Sequence, residues 1–299
     1  MPGVKTAARE KSNFLYSFSL LPRDERDAMH CVYAFCRYTD DLVDEDLPIP
    51  EVDIEGAGFG PGEDVALAKK RIRLAWWRNE VEKCYDGTSS HPILKALHKV
   101  IARFKIPKQY FLTLIDGVEM DLVRNRYESF DDLRDYCYAV ASIVGLICIE
   151  IFGYRYEETK EYAVDLGIAL QLTNIIRDVQ QDAQKGRIYL PQEDLRRFGY
   201  SESELLAGKY TWQFTELMKF ETARARFFYQ KARTHLAKDE RFTLFAAEIM
   251  DAIYFRLLRK IELSEFDVFE KRITVSTPHK LLIVARFWLN SNLLGRKQR

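Results

Sequence analysis

Apolar residues recur at three- and four-residue spacing along most of the chain, the period of helices that bury one face. The first such run follows Pro22, carries Asp24 in its first turn, and passes through Met29, Val32, Tyr33 and Phe35 to Val43. The same pattern predicts helices over about 64–85, 93–104, 108–123, 130–152, 157–183, 211–237, 242–263 and 278–294. Short breakers such as Asp86-Gly87, Ile106-Pro107 and Gly186 separate them. No strand-like alternation and no shift in composition interrupts the series. The pattern therefore predicts one all-α domain over residues 1–299, a bundle whose functional site lies between facing helices. The ends, about 1–12 and 290–299, are expected to be flexible.

Residues 47–63 depart from the pattern. They hold Pro48, Pro50, Gly56, Gly58, Gly60, Pro61 and Gly62, which predicts a loop. The glycines do not make a phosphate-cradling GxGxxG, because the third glycine position falls on Pro61 or Glu63. An inserted loop is the better reading than a nucleotide site.

Composition narrows the classes. Hydrophobic residues make up 47% of the chain, enough for a large core. Lys plus Arg and Asp plus Glu both number 45, so no net field recruits nucleic acid, and none is expected as a partner. The odd set Cys31, Cys36, Cys84, Cys137 and Cys148 lies in apolar helical contexts without a CxxC, as reduced core thiols of a cytoplasmic protein would. The N-terminus lacks the apolar run of a signal peptide, and no window of about 18 uninterrupted apolar residues predicts a spanning helix. The expectation is a cytoplasmic monomer or weak dimer. The last helix, within LLIVARFWLNSNLLGRKQR, fits either ordinary packing on the bundle or peripheral contact with the inner face of a membrane.

Chemistry concentrates in two acidic stripes. In Arg37-Tyr38-Thr39-Asp40-Asp41-Leu42-Val43-Asp44, Asp40 and Asp44 stack on one helix face and Asp41 lies about 100° round. In the run from Asn174 to Asp182, Asn174, Asp178 and Asp182 repeat the four-residue spacing beside Arg177. Like charges at that spacing repel by a few tenths of a kcal/mol, so neither stripe helps its helix. Both also sit in apolar sequence, CVYAFC before one and LGIALQLTNII before the other, where unpaired carboxylates are costly. A single acidic run is as readily a solvated face. Two such runs, each with an arginine in an apolar helix, point to a cation, and magnesium fits a site of carboxylates, waters and phosphate oxygens.

No Ser-His-Asp order, HExxH or P-loop appears, and His30, His91, His98, His235 and His279 show no ligand spacing. Metal Lewis acidity acting on a diphosphate is the remaining chemistry. Departure of diphosphate from an allylic carbon leaves a carbocation, which needs a dry cavity and aromatic faces. The chain offers 19 Phe and 16 Tyr, among them Phe14, Tyr16, Phe18, Tyr33, Phe35, Tyr136 and Tyr138 near the motifs. Most aromatics at helical spacing are plain core.

These stretches, YAFCRYTDDLVDE at Tyr33–Glu45, MDLVRNRY at Met120–Tyr127, YCYAVASIVGL at Tyr136–Leu146 and LQLTNIIRDVQQDAQKGRIYLP at Leu170–Pro191, resemble the squalene/phytoene synthase family of head-to-head prenyl transferases. The likeness runs from about Asn13 to Leu289. It implies an isoprenoid-synthase helical bundle with a central active-site cavity. It implies that Asp40, Asp41, Asp44, Asn174, Asp178 and Asp182 hold two to three Mg2+ ions and two diphosphates. By the same resemblance Arg37 and Arg177 contact diphosphate, Tyr136 serves the cation steps, and Tyr254 and Arg272 (or Lys271) fall on substrate-binding positions. The family reaction joins two prenyl diphosphates into a cyclopropylcarbinyl diphosphate. Whether it then proceeds with NADPH stays open here.

For chain length, SNFLYSFSLLP, LAWWRNEVEKCYDGTSSHP and VGLICIEIFGY most resemble the branch making C30 presqualene diphosphate from farnesyl diphosphate, and bulky Phe14 and Phe18 would shorten a tunnel. Thr39 before the first aspartate resembles phytoene synthases, the C40 alternative. Asn13 departs from the small hydroxyl residue of many relatives. A terpene cyclase and a non-catalytic scaffold of the same family are the other readings.

Overall fold

The computed structural model describes residues 17–45, 47 and 64–295, with 290–295 as backbone only. Phe14 and most of the Gly/Pro-rich loop lie outside the described residues. Among the described residues the chain is helical: α1 Arg23–Asp44, α2 Val65–Tyr85, α3 Pro92–Phe104, α4 Lys108–Val123, α5 Phe130–Cys137, α6 Ile143–Phe152, α7 Glu158–Gln184, α8 Gln192–Arg197, α9 Glu202–Leu206, α10 Trp212–His235, α11 Phe245–Leu263 and α12 Thr277–Gly295. A π-helical turn, Tyr138–Ser142, joins α5 to α6, so the predicted 130–152 helix exists but is widened in its middle. α8 and α9 were not predicted; each spans too few residues to show a period. α12 is helical to Gly295, beyond the start of the C-terminal stretch expected to be flexible.

Local chemistry sets the ends. The Asp64 side chain accepts from Leu67 N at 3.1 Å at the start of α2. Ser129 and Asp132 form a reciprocal capping box at α5, as do Ser201 and Glu204 at α9. Asp24 and Glu25 occupy the first turn of α1, where the helix dipole favours negative charge.

α7 is the axis. It packs against α6, the π turn, α10 and α11, while α1 packs against α2, α3, α4 and α6. Gly167 on α7 makes this approach possible, since a Cβ there would lie 2.5 Å from Ser142 Cα. Gly117 on α4 serves the same turn, where a Cβ would meet Ala139 Cβ at 2.8 Å. The buried apolar side chains form one contiguous core, including Phe35, Trp77, Phe111, Tyr162, Phe214 and Tyr229. The Phe130–Phe152 stretch is long and apolar enough to cross a bilayer by length and composition alone, but 56% of its apolar window is buried inside the bundle. The five cysteines are free thiols, all buried or half-buried.

Candidate active site

Each acidic stripe begins directly after a buried threonine that fixes the rotation of its helix. Thr39 Oγ1 donates to Phe35 O at 2.9 Å and accepts from Trp77 Nε1 at 2.9 Å. Thr173 Oγ1 donates to Ala169 O at 2.8 Å and pairs with Tyr229 Oη at 2.9 Å. Fixing those threonines inward aims the residues that follow, Asp40 and Asn174, at a different part of the helix surface, about 100° away.

Between the stripes lies Asp121 on α4, which the spacing argument missed. Its carboxylate accepts from Tyr136 Oη at 3.0 Å and from Tyr189 Oη at 2.7 Å. It lies within Coulomb range of Asp40 and Asp44 on one stripe and of Asp182 on the other, so both stripes address one cleft. Burial raises its pKa, only partly offset by the two tyrosine hydroxyls and Arg187.

The acids respond to that crowding. Burial, against the pull of Arg37 and with Asp44, Asp41 and Asp121 adding to it, pushes Asp40 up to about 7. Its side chain stays 48% accessible, so it faces the cleft, whose walls thin the surrounding water without sealing it off. Burial and Asp178, against Lys185 and Arg187, push Asp182 up to about 7 as well. Burial alone would raise Asp178 too, but Arg177 and Arg272 outweigh it and hold the carboxyl below the usual range. Arg177 binds Asp178 through Nε at 2.8 Å and through Nη2, and Arg272 Nε reaches the same carboxylate at 3.0 Å. Of the two late basic residues Lys271 and Arg272, Arg272 is the one bonded to the second stripe. Arg37 turns to its own helix, 3.3 Å from Asp41 and 3.8 Å from Asp40.

The remaining expected residues fall as follows. Tyr254 on α11 is buried and within electrostatic reach of Arg177. Tyr136 is buried, and burial drives its hydroxyl well above the ordinary tyrosine range. Tyr138, two residues on in the π turn, is 39% exposed. Phe18 is buried, edge-on to His30 at 6.3 Å, on the α1 side of the core.

Tyr127, Tyr136 and Tyr189 form a cluster of rings with centroids 5.3–5.7 Å apart. A short parallel pairing of two loops assembles it. Ile188 N donates to Asn125 O at 3.0 Å and Gln192 N to Tyr127 O at 2.8 Å, around the Arg126–Ile188 bridge. Arg126 locks the pairing, giving Nη1 to Gly186 O at 2.7 Å and Nε to Glu202 at 2.9 Å. Tyr127, Arg187 and Tyr189 stand in the matched strings MDLVRNRY and KGRIYLP, but no periodicity marks residues in loops.

The residues present fit a divalent ion. Asn174 Oδ1 is buried without a hydrogen-bond donor, a costly state that a cation would relieve. Among the described residues no three His, Cys, Asp or Glu side chains converge into a closed metal cage. A divalent ion needs no closed cage where water and phosphate oxygens complete its shell beside one or two carboxylates.

An all-helical bundle with two acidic stripes, flanking arginines and an aromatic cluster over one cleft defines the class of helical synthases that ionise prenyl diphosphates. Comparison with known proteins carries this further. The squalene/phytoene synthase family profile matches residues 7–279. Phytoene synthase of Arthrospira platensis is 36% identical, the alignment covering 96% of this chain and 91% of that one. The 15-cis-phytoene synthase of Synechococcus elongatus is 34% identical, at 96% and 91% coverage. A dehydrosqualene synthase solved with a ligand superposes with a TM-score of 0.76 at 27% identity, covering 94% of this chain and 93% of that one. The squalene synthase HpnC of Alicyclobacillus acidocaldarius gives a TM-score of 0.71 at 26% identity, covering 85% and 89%. The chain belongs to the squalene/phytoene synthase family. It is a prenyltransferase of the head-to-head type, in a family that holds diphosphate through a divalent metal.

Proposed function

We propose that this chain condenses two C20 prenyl diphosphates head to head, with Mg2+ as its metal, to a phytoene-type C40 product. The observation that carries the head-to-head site is the coupling of both acidic stripes to the half-buried Asp121. The C20 choice rests on the curated relatives, which are phytoene synthases at 33–36% identity and which weigh for the C40 alternative over the C30 expectation. A C15 reading keeps one observation of its own, the buried bulk of Phe18 ahead of α1, together with the solved squalene and dehydrosqualene synthases.

Asp40, Asp41, Asp44, Asn174, Asp178 and Asp182 would hold the ions and, through them, diphosphate. Magnesium, when bound, neutralises the diphosphate and makes it a better leaving group. Arg177 and Arg272, now engaged with Asp178, are forks suited to phosphate oxygens. The Tyr127, Tyr136 and Tyr189 rings supply electron-rich faces to positive charge. Asp121 holds the Tyr136 and Tyr189 hydroxyls, fixing those rings.

Mass analysis of products from farnesyl and geranylgeranyl diphosphate, with and without NADPH, tests the reading. A C40 hydrocarbon from geranylgeranyl diphosphate supports it, and a C30 product or presqualene diphosphate from farnesyl diphosphate alone replaces it with the second. No diphosphate release from either substrate would leave the scaffold reading, and a product built from one diphosphate would leave the cyclase.

A further inference from the structure

Between α3 and the turn that precedes it lies a groove of about 400 Å³, and no residue of either acidic stripe lines it. From α3 it takes Lys95, His98 and Lys99, which stand at i, i+3 and i+4 and so share one helix face. Cys84, Gly87 and Ser89 form the facing wall.

The charge of the groove is uncompensated. Lys95 and Lys99 are exposed, repel each other at four-residue spacing, and among the described residues have no hydrogen-bond or ion-pair partner. No acid lines the groove. Glu80 and Glu82 on α2 are taken up by Lys83 and Lys108, and Asp86 on the turn is exposed outside the lining. The groove also follows the N-terminal half of α3, where the helix dipole favours anions and the first turn holds no acid.

His98 adds a directed atom. Its Nδ1 lies 2.7 Å from the Cys84 carbonyl, which can only accept, so Nδ1 carries the proton. Nε2 is left for a ligand, to accept from a hydroxyl or, in the imidazolium, to donate. Gly87 makes room for that ring. A Cβ there would lie 3.3 Å from His98 Cε1, and the left-handed φ of 72° suits glycine alone.

The walls are held without a ligand. Cys84 Sγ donates to Leu94 O at 3.3 Å, tying the end of α2 to α3. Buried Ser89 donates to Glu80 at 2.6 Å and accepts from His91 N at 3.3 Å. A preformed site spares its ligand the cost of ordering the protein.

Two ammonium groups beside an imidazole call for a compact dianion rich in acceptor oxygens, which is the chemistry of phosphate. Leu94 and Ala96 in the same lining offer an apolar surface to whatever carries it. The volume falls near the lower end for small-molecule sites, so that carrier is short. We propose that this groove binds a small phosphate ester with a short apolar body, at a site separate from the catalytic cleft. Binding there requires neither a prenyl chain nor the metal.

The full chain, labelled with carbon-13 in its five histidines, is titrated with phenyl phosphate while a chelator removes Mg2+. One imidazole signal, assigned by its loss in His98→Gln, should shift saturably with a midpoint at or below about 1 mM. Inorganic phosphate, which lacks the apolar body, should bind about fivefold or more weakly. Lys95→Gln with Lys99→Gln should weaken phenyl phosphate about tenfold or more. Ala96→Glu, which sets an acid in the lining at an exposed helical position, should abolish the shift. Helicity and diphosphate release from prenyl substrate should be unchanged in the double glutamine and Ala96→Glu variants. No saturable shift at His98, a shift undiminished in the double variant, or equal affinity for inorganic phosphate would each overturn the proposal.

Discussion

Tyr136 donates its hydroxyl to Asp121 across 3.0 Å, and that carboxylate, shared with Tyr189, links the aromatic cluster to both acidic stripes. A half-buried acceptor that holds two phenols sets the tilt of two rings at once. Asp121→Asn keeps the shape but replaces one accepting oxygen by a donor, so one hydroxyl loses its partner. Turnover should fall about 10–100-fold, the usual cost of losing an orienting hydrogen bond at a metal-dependent site. Tyr136→Phe in the same assay should fall too, and the double variant should fall by less than the product of the two, because both act through one contact. Strictly multiplicative losses would separate Asp121 from the tyrosine.

Asp40→Ala and Asp178→Ala should each abolish diphosphate release while leaving the far-ultraviolet circular dichroism unchanged. Removing Asp40 takes away a like-charge repulsion within α1, so the helix has no reason to melt. Removing Asp178 takes a ligand from the second stripe, so with Mg2+ present this variant should also lose affinity for inorganic diphosphate, although Arg177 and Arg272 are released from their carboxylate. Full activity in either variant would show that the stripes are not the metal site.

Metal affinity should depend steeply on pH. Asp40 and Asp182 are each pushed up to about 7, so below that pH both hold protons that an ion must displace. Affinity for Mg2+ with inorganic diphosphate should therefore rise from pH 6 to pH 8 and level off above. Calorimetry in two buffers of different ionisation enthalpy should show proton release near pH 6.5 and little at pH 8.5. Proton uptake, or no release, would contradict the raised carboxyls.

The long helices were readable from the sequence because each buries a repeating face, and residues 108–123 were predicted to the residue. The stripes were readable because Asp40 and Asp44, and Asn174, Asp178 and Asp182, obey the same period. Asp121 was not, since a single acid on a helix has no spacing to betray it and its partners come from elsewhere in the chain. Tyr127 and Tyr189 meet only because the 124–128 and 186–192 loops pair, a contact that spans some sixty residues of sequence. The π turn beside Tyr136 was hidden for a different reason. An inserted residue in a helix leaves the apolar composition untouched and shows only in the close approach of Gly117 and Gly167.

Thr39→Val should loosen the first stripe without touching an acid. The change leaves the fully buried Trp77 indole N–H without its acceptor, a loss of about 1–3 kcal/mol. For a domain of this size that corresponds to a fall in Tm of several degrees. Thr39→Ser, which keeps the oxygen, should recover most of it. Equal loss in the valine and serine variants would assign the effect to packing.

Glu221 gives the last prediction, on stability. It is 1% exposed on α10 and shares the Arg224 guanidinium, at 2.7 and 2.8 Å, with the buried Asp194 of α8, 2.8 Å from the same nitrogen. Two carboxylates facing one cation leave an excess negative charge. Burial, only partly offset by Arg224 and reinforced by Asp194, pushes Glu221 up to about 8. The folded chain therefore keeps a proton that the unfolded chain gives up above about pH 4.5. Stability from this group is fully present below that pH and is lost as pH rises to about 8, by on the order of a few kcal/mol. Glu221→Gln fixes the neutral form and keeps a donor for Asp194. Denaturant midpoints should accordingly match wild type near pH 5, exceed it at pH 8, and show a flatter slope between. A wild-type slope retained in the glutamine variant would place the pH dependence on some other group. The same three side chains anchor α8 directly after the loop that carries Tyr189, so the loss at high pH should appear first as faster amide exchange in residues 186–197.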